Sequence, residues 1–139
     1  MSMAVRDISG ALRNYLLSKT GITSLVGQRI FTPKFPTNSQ GVTDNEQNPK
    51  IAFRQIGGSP SGSADYRYMF IVRADSDLTA RTIASEVINQ LIESNFSLAD
   101  GDGNNISWWA ELDSSMNDST DEQTNQPETF FNINFSSIQ

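Results

Sequence analysis

A chain of 139 residues with a net charge of −6 and neither cysteine nor histidine holds one hydrophobic core, with no room for a second, and needs no disulfide or metal to fold. Without histidine it lacks the commonest general base and metal ligand, and Ser–His or Cys–His nucleophile pairs are impossible, so only Asp, Glu or Lys chemistry is left for an enzyme. The acidic balance argues against a nucleic-acid clamp, which should be basic.

The N-terminal stretch Met1 to Leu12 carries Arg6 and Asp7 and has no continuous apolar core. It does not read as a signal peptide, and no apolar run approaches the roughly 20 residues that span a bilayer. The expected setting is a cytoplasm, unless a larger particle carries the chain out, and no membrane partner is expected. Val5, Ile8, Leu12, Tyr15 and Leu16 form one apolar stripe at three- and four-residue steps, which predicts a helix from Val5 to Lys19. A short helical turn follows from Gly21 to Val26, closed by Gly27, and then a short strand from Arg29 to Phe31 running into Pro33 and Pro36. Residues 37–48 are polar and aperiodic and read as a long surface loop.

Lys50 to Ile56 alternates, with Ile51, Phe53 and Gln55 on one side and Ala52, Arg54 and Ile56 on the other, and predicts a strand. The glycine- and serine-rich 57–64 segment, beginning Gly57, Gly58, Ser59, reads as a mobile hairpin tip. It lacks the Gly-Lys-Ser/Thr ending of a phosphate loop and does not lead into a helix. Asp65 to Ala74 is the clearest strand, with Tyr66, Tyr68, Phe70 and Val72 sharing one face and Arg67, Met69, Ile71 and Arg73 the other. Ser76 or Asp77 can cap a second main helix from Leu78 to Ser94, whose expected buried stripe is Ala80, Ala84, Val87, Ile88 and Leu91, with Ile83 at its edge.

Brief strands are expected over Phe96 to Leu98 and Ile106 to Leu112, separated by the acidic turn Asp100 to Asn105. Asp100, Asp102, Asn104 and Glu111 have the spacing of an EF-hand loop, but Asn105 replaces the required glycine and no helix flanks the turn, so a polar β-turn is the better reading. The adjacent Trp108 and Trp109 must point to opposite faces of their strand, one into the core and one onto the second face. Residues 113–126 read as another long polar loop, and Pro127 to Ser136 as a final strand with Phe131, Ile133 and Phe135 on one face. These elements predict a single α+β domain over residues 1–139. Its sheet is mainly antiparallel with four to five strands, and two main helices pack on one face.

All ten Lys and Arg lie between Arg6 and Arg81, beside six acids, a net of +4; from Thr82 onward there are ten acids and no cation, a net of −10. A solvated acidic surface would account for this. So would a dipolar subunit whose positive side meets a neighbour's negative side. On that second reading the candidate interface residues are Arg54, Arg67 and Arg73 on the predicted hairpin, Gly57, Gly58 and Ser59 at its tip, and Trp108 and Trp109. No catalytic, cofactor-binding or metal-ligating residue is expected, and no cofactor.

From Ala11 to Asn95 the chain resembles the tail-completion, or tail-terminator, family of tailed bacteriophages. The stretches that carry the resemblance are ALRNYLLSKTGITSLVGQRIFTPKFP, NPKIAFRQIGGSPSG and YRYMFIVRADSDLTARTIASEVINQLI. They hold a Val-Gly-x-Arg-Ile element over Leu25 to Ile30, a Pro-x-Ile strand start at Pro49 to Ile51, and a helix entry between Ala74 and Val87, where Asp77 is followed by Ala80 rather than by the family's Asp-x-x-x-Ala spacing. Thr37 to Asn48 departs from the family's shorter connection, and the chain from Asp113 onward has no matching motif. The resemblance implies a non-enzymatic virion protein that forms a hexameric ring at the head-proximal end of the tail tube. The implied partners are the tube protein and the head–tail connector, with DNA passing through the ring unbound. A neck protein on the portal side, or a cytoplasmic binding module, are the alternatives.

Overall fold

Apolar residues at every second position of the strands and at helical spacing in the helices meet in one core between a sheet and a helical layer. The computed structural model describes residues 9–35, 49–59, 65–92, 96–99, 105–112, 116–120 and 126–138. In chain order the elements are α1 (Ser9–Leu17), α2 (Thr20–Val26), β1 (Ile30–Phe31), β2 (Lys50–Ser59), β3 (Asp65–Arg73), α3 (Asp77–Ile92), β4 (Phe96–Ala99), β5 (Asn105–Leu112), β6 (Asn117–Thr120) and β7 (Pro127–Ile138). The strands make one seven-stranded sheet in the order β1-β2-β3-β7-β5-β4, with β6 pairing β7 off that path. Among the described residues only β1 and β2 run parallel; the other pairs are antiparallel.

The last strand in sequence is central in space. β7 pairs along one edge with β3, from Glu128 opposite Arg73 to Ser136 opposite Asp65. Its other edge is shared, β6 pairing its beginning (Pro127 to Phe130) and β5 its end (Ile133 to Ile138). Phe53, Phe70 and Phe131 stand opposite one another on β2, β3 and β7 and stack with centroid separations of 5.3 Å at both steps. Such pairs add about 0.5–1.5 kcal/mol each beyond the area they bury.

The helices close the same face. α1 contributes buried Leu12 and Leu16, and the Arg13 Nε donates to the Ile30 carbonyl at 2.6 Å, tying the helix to β1. α2 ends where Gly27 takes φ +62°, a conformation costly for any side-chain-bearing residue, and donates its N–H to the Thr23 carbonyl. Ser76 caps α3, its Oγ accepting from the Thr79 N–H at 3.1 Å. The α3 residues buried against the sheet are Ala80, Ile83, Ala84, Val87 and Leu91. Ile83 and Ile88 have therefore exchanged the expected roles, since Ile88 is only half-buried.

The sheet is larger and more mixed than the sequence pattern predicts. The parallel β1–β2 pair needs a crossover of about a dozen residues or more, and the connection 32–49 supplies that length. Gly57, Gly58 and Ser59 belong to β2 and pair with Arg67, Tyr66 and Asp65, so the ladder continues past the expected start of the hairpin tip; a bulge between Gln55 and Gly57 absorbs Ile56. Within the expected 113–126 loop, Asn117–Thr120 forms β6, whose backbone groups pair with β7 although its own sequence has no apolar alternation. Residues 36–48, 60–64 and 100–104, which include the other expected loops and the acidic turn, lie outside the described residues.

Val87 is fully buried beneath the sheet. Val87→Asp would bury an unpaired carboxylate, and circular dichroism with urea titration should show loss of cooperative folding. A variant as stable as the parent would contradict this packing.

Candidate interaction face

Because helices and core occupy one side of the sheet, the alternate residues of each strand form a second face. Its cross-strand rows follow from register. Lys50, Arg73 and Glu128 form one row, Ala52, Ile71 and Phe130 the next, then Arg54, Met69 and Asn132, and then Gly57, Arg67, Asn134 and Glu111. Trp109 lies one row further, opposite Ser136.

The first row is covered by the chain itself. Residues 32–35 lie over it, and Phe35 packs below the Arg73 guanidinium at 4.6 Å and the Lys50 ammonium at 5.2 Å, with Phe31 edge-on at 6.5 Å. Lys50 and Arg73 are buried, and Arg73 donates to Glu128 at 2.8 Å from Nη2. With both side chains almost solvent-free, removing either partner strands the other's charge at a cost of about 3–5 kcal/mol. Arg73 is therefore not the surface charge that strand alternation suggests; it pins the 32–35 segment to the sheet.

Beyond that strap the described residues of this face, apart from Ala52, are half-buried or exposed. A groove of about 270 Å³ runs between the strap and the hairpin, lined by Pro33, Lys34, Phe35, Ala52, Phe53, Arg54, Met69 and Ile71. Arg54, Arg67 and Lys34 are exposed, as are Ile56 and, at 43%, Trp109. The Trp109 Nε1 donates to Glu111 at 3.0 Å, two residues along the same strand. The face thus runs from basic and apolar at β2 and β3 to an aromatic–acidic pair at β5.

Of the residues singled out in the sequence, Arg54, Arg67 and Trp109 share this open face. Gly57 pairs across from Arg67 within it, and Gly58 and Ser59 continue the same strand. Trp108 is fully buried on the opposite side, against Tyr66 at a centroid separation of 5.8 Å. Sequence reasoning missed the strap and the groove: Phe35 stands between Pro33 and Pro36 and carries no periodic signal. It also passed over exposed Leu112 and Met116 at the break between β5 and β6. Among the described residues no cluster of three or more acidic, His or Cys side chains could hold a metal. No described helix is long and apolar enough to cross a membrane.

No protein-family profile matches the chain, and no curated protein sequence matches it. Among solved structures it is similar to a chain of the virion of a native gene transfer agent particle, with a TM-score of 0.61 and 14% sequence identity, over 94% of this chain and 96% of that one. The likeness is one of fold, and it takes in nearly the whole of both chains.

The two tryptophans should separate by experiment. Trp108→Ala should cost about 3–5 kcal/mol in urea unfolding, and Trp109→Ala should stay within about 0.5 kcal/mol of the parent. Equal losses would contradict the assignment of Trp109 to an open face.

Proposed function

We propose that this chain is a structural virion subunit, not an enzyme, which forms a ring on the head-proximal end of a phage tail tube. The ring ends tube polymerisation and presents a surface for head–tail joining. The observation that carries this reading is the end-to-end fold correspondence with a chain of a gene transfer agent virion. Three further features support it. The resemblance of Ala11 to Asn95 to the tail-completion family comes from different information, namely sequence motifs. The chain lacks histidine and cysteine, which leaves it poorly equipped for catalysis. The open sheet face offers apolar, aromatic and cationic side chains, the composition enriched at protein interfaces.

In this role the partners are further copies of the chain, six in the family's ring, the tube protein on one side and the connector or neck protein on the other. DNA crosses the opening without specific contact. The excess of acids after Thr82 suits that passage, since a negative wall repels phosphates whereas a basic one would exchange counterions and bind them. The site of action is then the virion, with the host cytoplasm as the place of assembly.

The test is to polymerise tube protein with and without this chain and image the products by negative stain. The expected result is a ring at one end of each tube and an arrest of elongation; Arg54→Glu with Arg67→Glu should weaken it while circular dichroism stays unchanged. Added salt should weaken assembly too, since the Debye length is about 10 Å at 0.1 M. Tubes that elongate unchanged with no density at either end would overturn the proposal. Density on isolated portal complexes alone would favour the neck protein instead.

A further inference from the structure

The groove beside the 32–35 strap is apolar within and cationic at its rim. Buried Ala52 and half-buried Met69 and Ile71 form its floor, and Phe35, seated over Arg73 and Lys50, holds its strap wall in place. Exposed Lys34 stands on the strap and exposed Arg54 on β2. Among the described residues neither of these two cations has an ion pair, a hydrogen bond or a ring contact. The others nearby are engaged, Arg73 with Glu128 and Lys50 over the Phe35 ring. The two described acids of this face are also engaged, Glu128 by Arg73 and Glu111 by the Trp109 indole N–H. In a chain of net charge −6, two unneutralised cations beside an apolar recess are a local reversal of sign.

We infer that the groove receives an apolar side chain from an acidic segment of a partner protein, with carboxylates on either side of that residue meeting Lys34 and Arg54. The volume of about 270 Å³ takes one or two apolar side chains. It falls below the roughly 300–1,000 Å³ of small-molecule sites and is too small to seat a helix about 10–12 Å across. Two cations over an apolar floor do not make the basic stripe that the phosphates of a nucleic acid require. Charge complementarity therefore selects a protein segment rich in carboxylates, and the floor selects an apolar residue among them. Burial of that residue supplies the attraction, while the rim charges set orientation and reject basic segments. The anchored strap wall is formed in advance, so docking spends little on ordering this side of the contact. The inference deepens the reading proposed above by naming the chemistry of the segment that an adjoining particle protein brings to this face, and it rests on that reading only for the partner's place in the particle.

The probe is a short capped synthetic peptide with one leucine set between glutamates and serine elsewhere. It is titrated into the isotope-labelled full chain, and binding is read from backbone amide shifts. The amides of Ala52, Arg54, Met69 and Ile71 should move, and those of α3 should not. Exchanging the probe's glutamates for lysine, or its leucine for serine, should abolish the effect. Lys34→Ala with Arg54→Ala changes only exposed positions; circular dichroism should stay that of the parent while binding weakens about fivefold or more. Absent shifts, shifts confined to another surface, equal binding of the lysine probe, or an unweakened double variant would each overturn the inference. An oligonucleotide that moves the same amides more strongly would make nucleic acid the occupant, and groove shifts that change on diluting the chain alone would make it a second copy; either result also overturns it. A peptide that binds the groove while tubes elongate unchanged leaves the inference standing and removes the ring reading. Rings that cap tubes while no peptide binds remove the inference alone.

Discussion

Phe131, Ile133 and Phe135 point from β7 into the core while Glu128, Phe130, Asn132 and Asn134 point the other way, and this one strand separates the two surfaces of the molecule. β7 is bonded on both edges along most of its length, to β3 on one side and to β5 and β6 on the other. The chain's two halves, the hairpin of β2 and β3 and the later strands β4 to β6, are joined through it. Sliding β7 by a single residue would turn its apolar side chains to the wrong face, so its register also fixes what the second face displays.

The helices cover one face because α1, α2 and α3 each have an apolar stripe that only the aromatic side of the sheet can bury. Among the described residues no helix lies on the other side. The chain covers one row of it with the short strap at Phe35 and fixes the strap with the buried Arg73–Glu128 pair. The rest is left open, with Met69, Ile71 and Phe130 half-buried and Arg54, Arg67 and Trp109 exposed. A sheet face of that composition in a single subunit is suited to further association, and the separation of basic and acidic ends across it favours a directional contact over a symmetric one.

Much of this was legible in the sequence. The alternation at Tyr66, Tyr68, Phe70 and Val72 marked β3 and its buried side. The spacing of Ala80, Ala84, Val87 and Leu91 marked α3, and the adjacent tryptophans had to divide between faces. Three features were hidden for identifiable reasons. β6 owes its extended state to pairing with β7 and to Asp118's contacts with Arg81 and Thr129, none of which its polar Asn117–Thr120 sequence reveals. Gly57 and Gly58 read as loop residues, yet glycine pairs in a ladder when its partner strand is well specified, as Tyr66 and Arg67 are. Arg73 read as a surface charge because alternation predicts which face a side chain is on and says nothing of a segment distant in sequence that covers it.

The central claim is that the sheet face opposite the helices is the surface through which the subunit associates. Hydroxyl-radical footprinting of the free and assembled protein, read by mass spectrometry, tests it most directly. The account predicts that Met69 and Trp109 on the open face lose reactivity on assembly. Leu78, which is 70% exposed at the start of α3, should react equally in both states. Protection of Leu78 with Met69 and Trp109 unchanged would mean that the helical layer makes the contact, and would contradict the account.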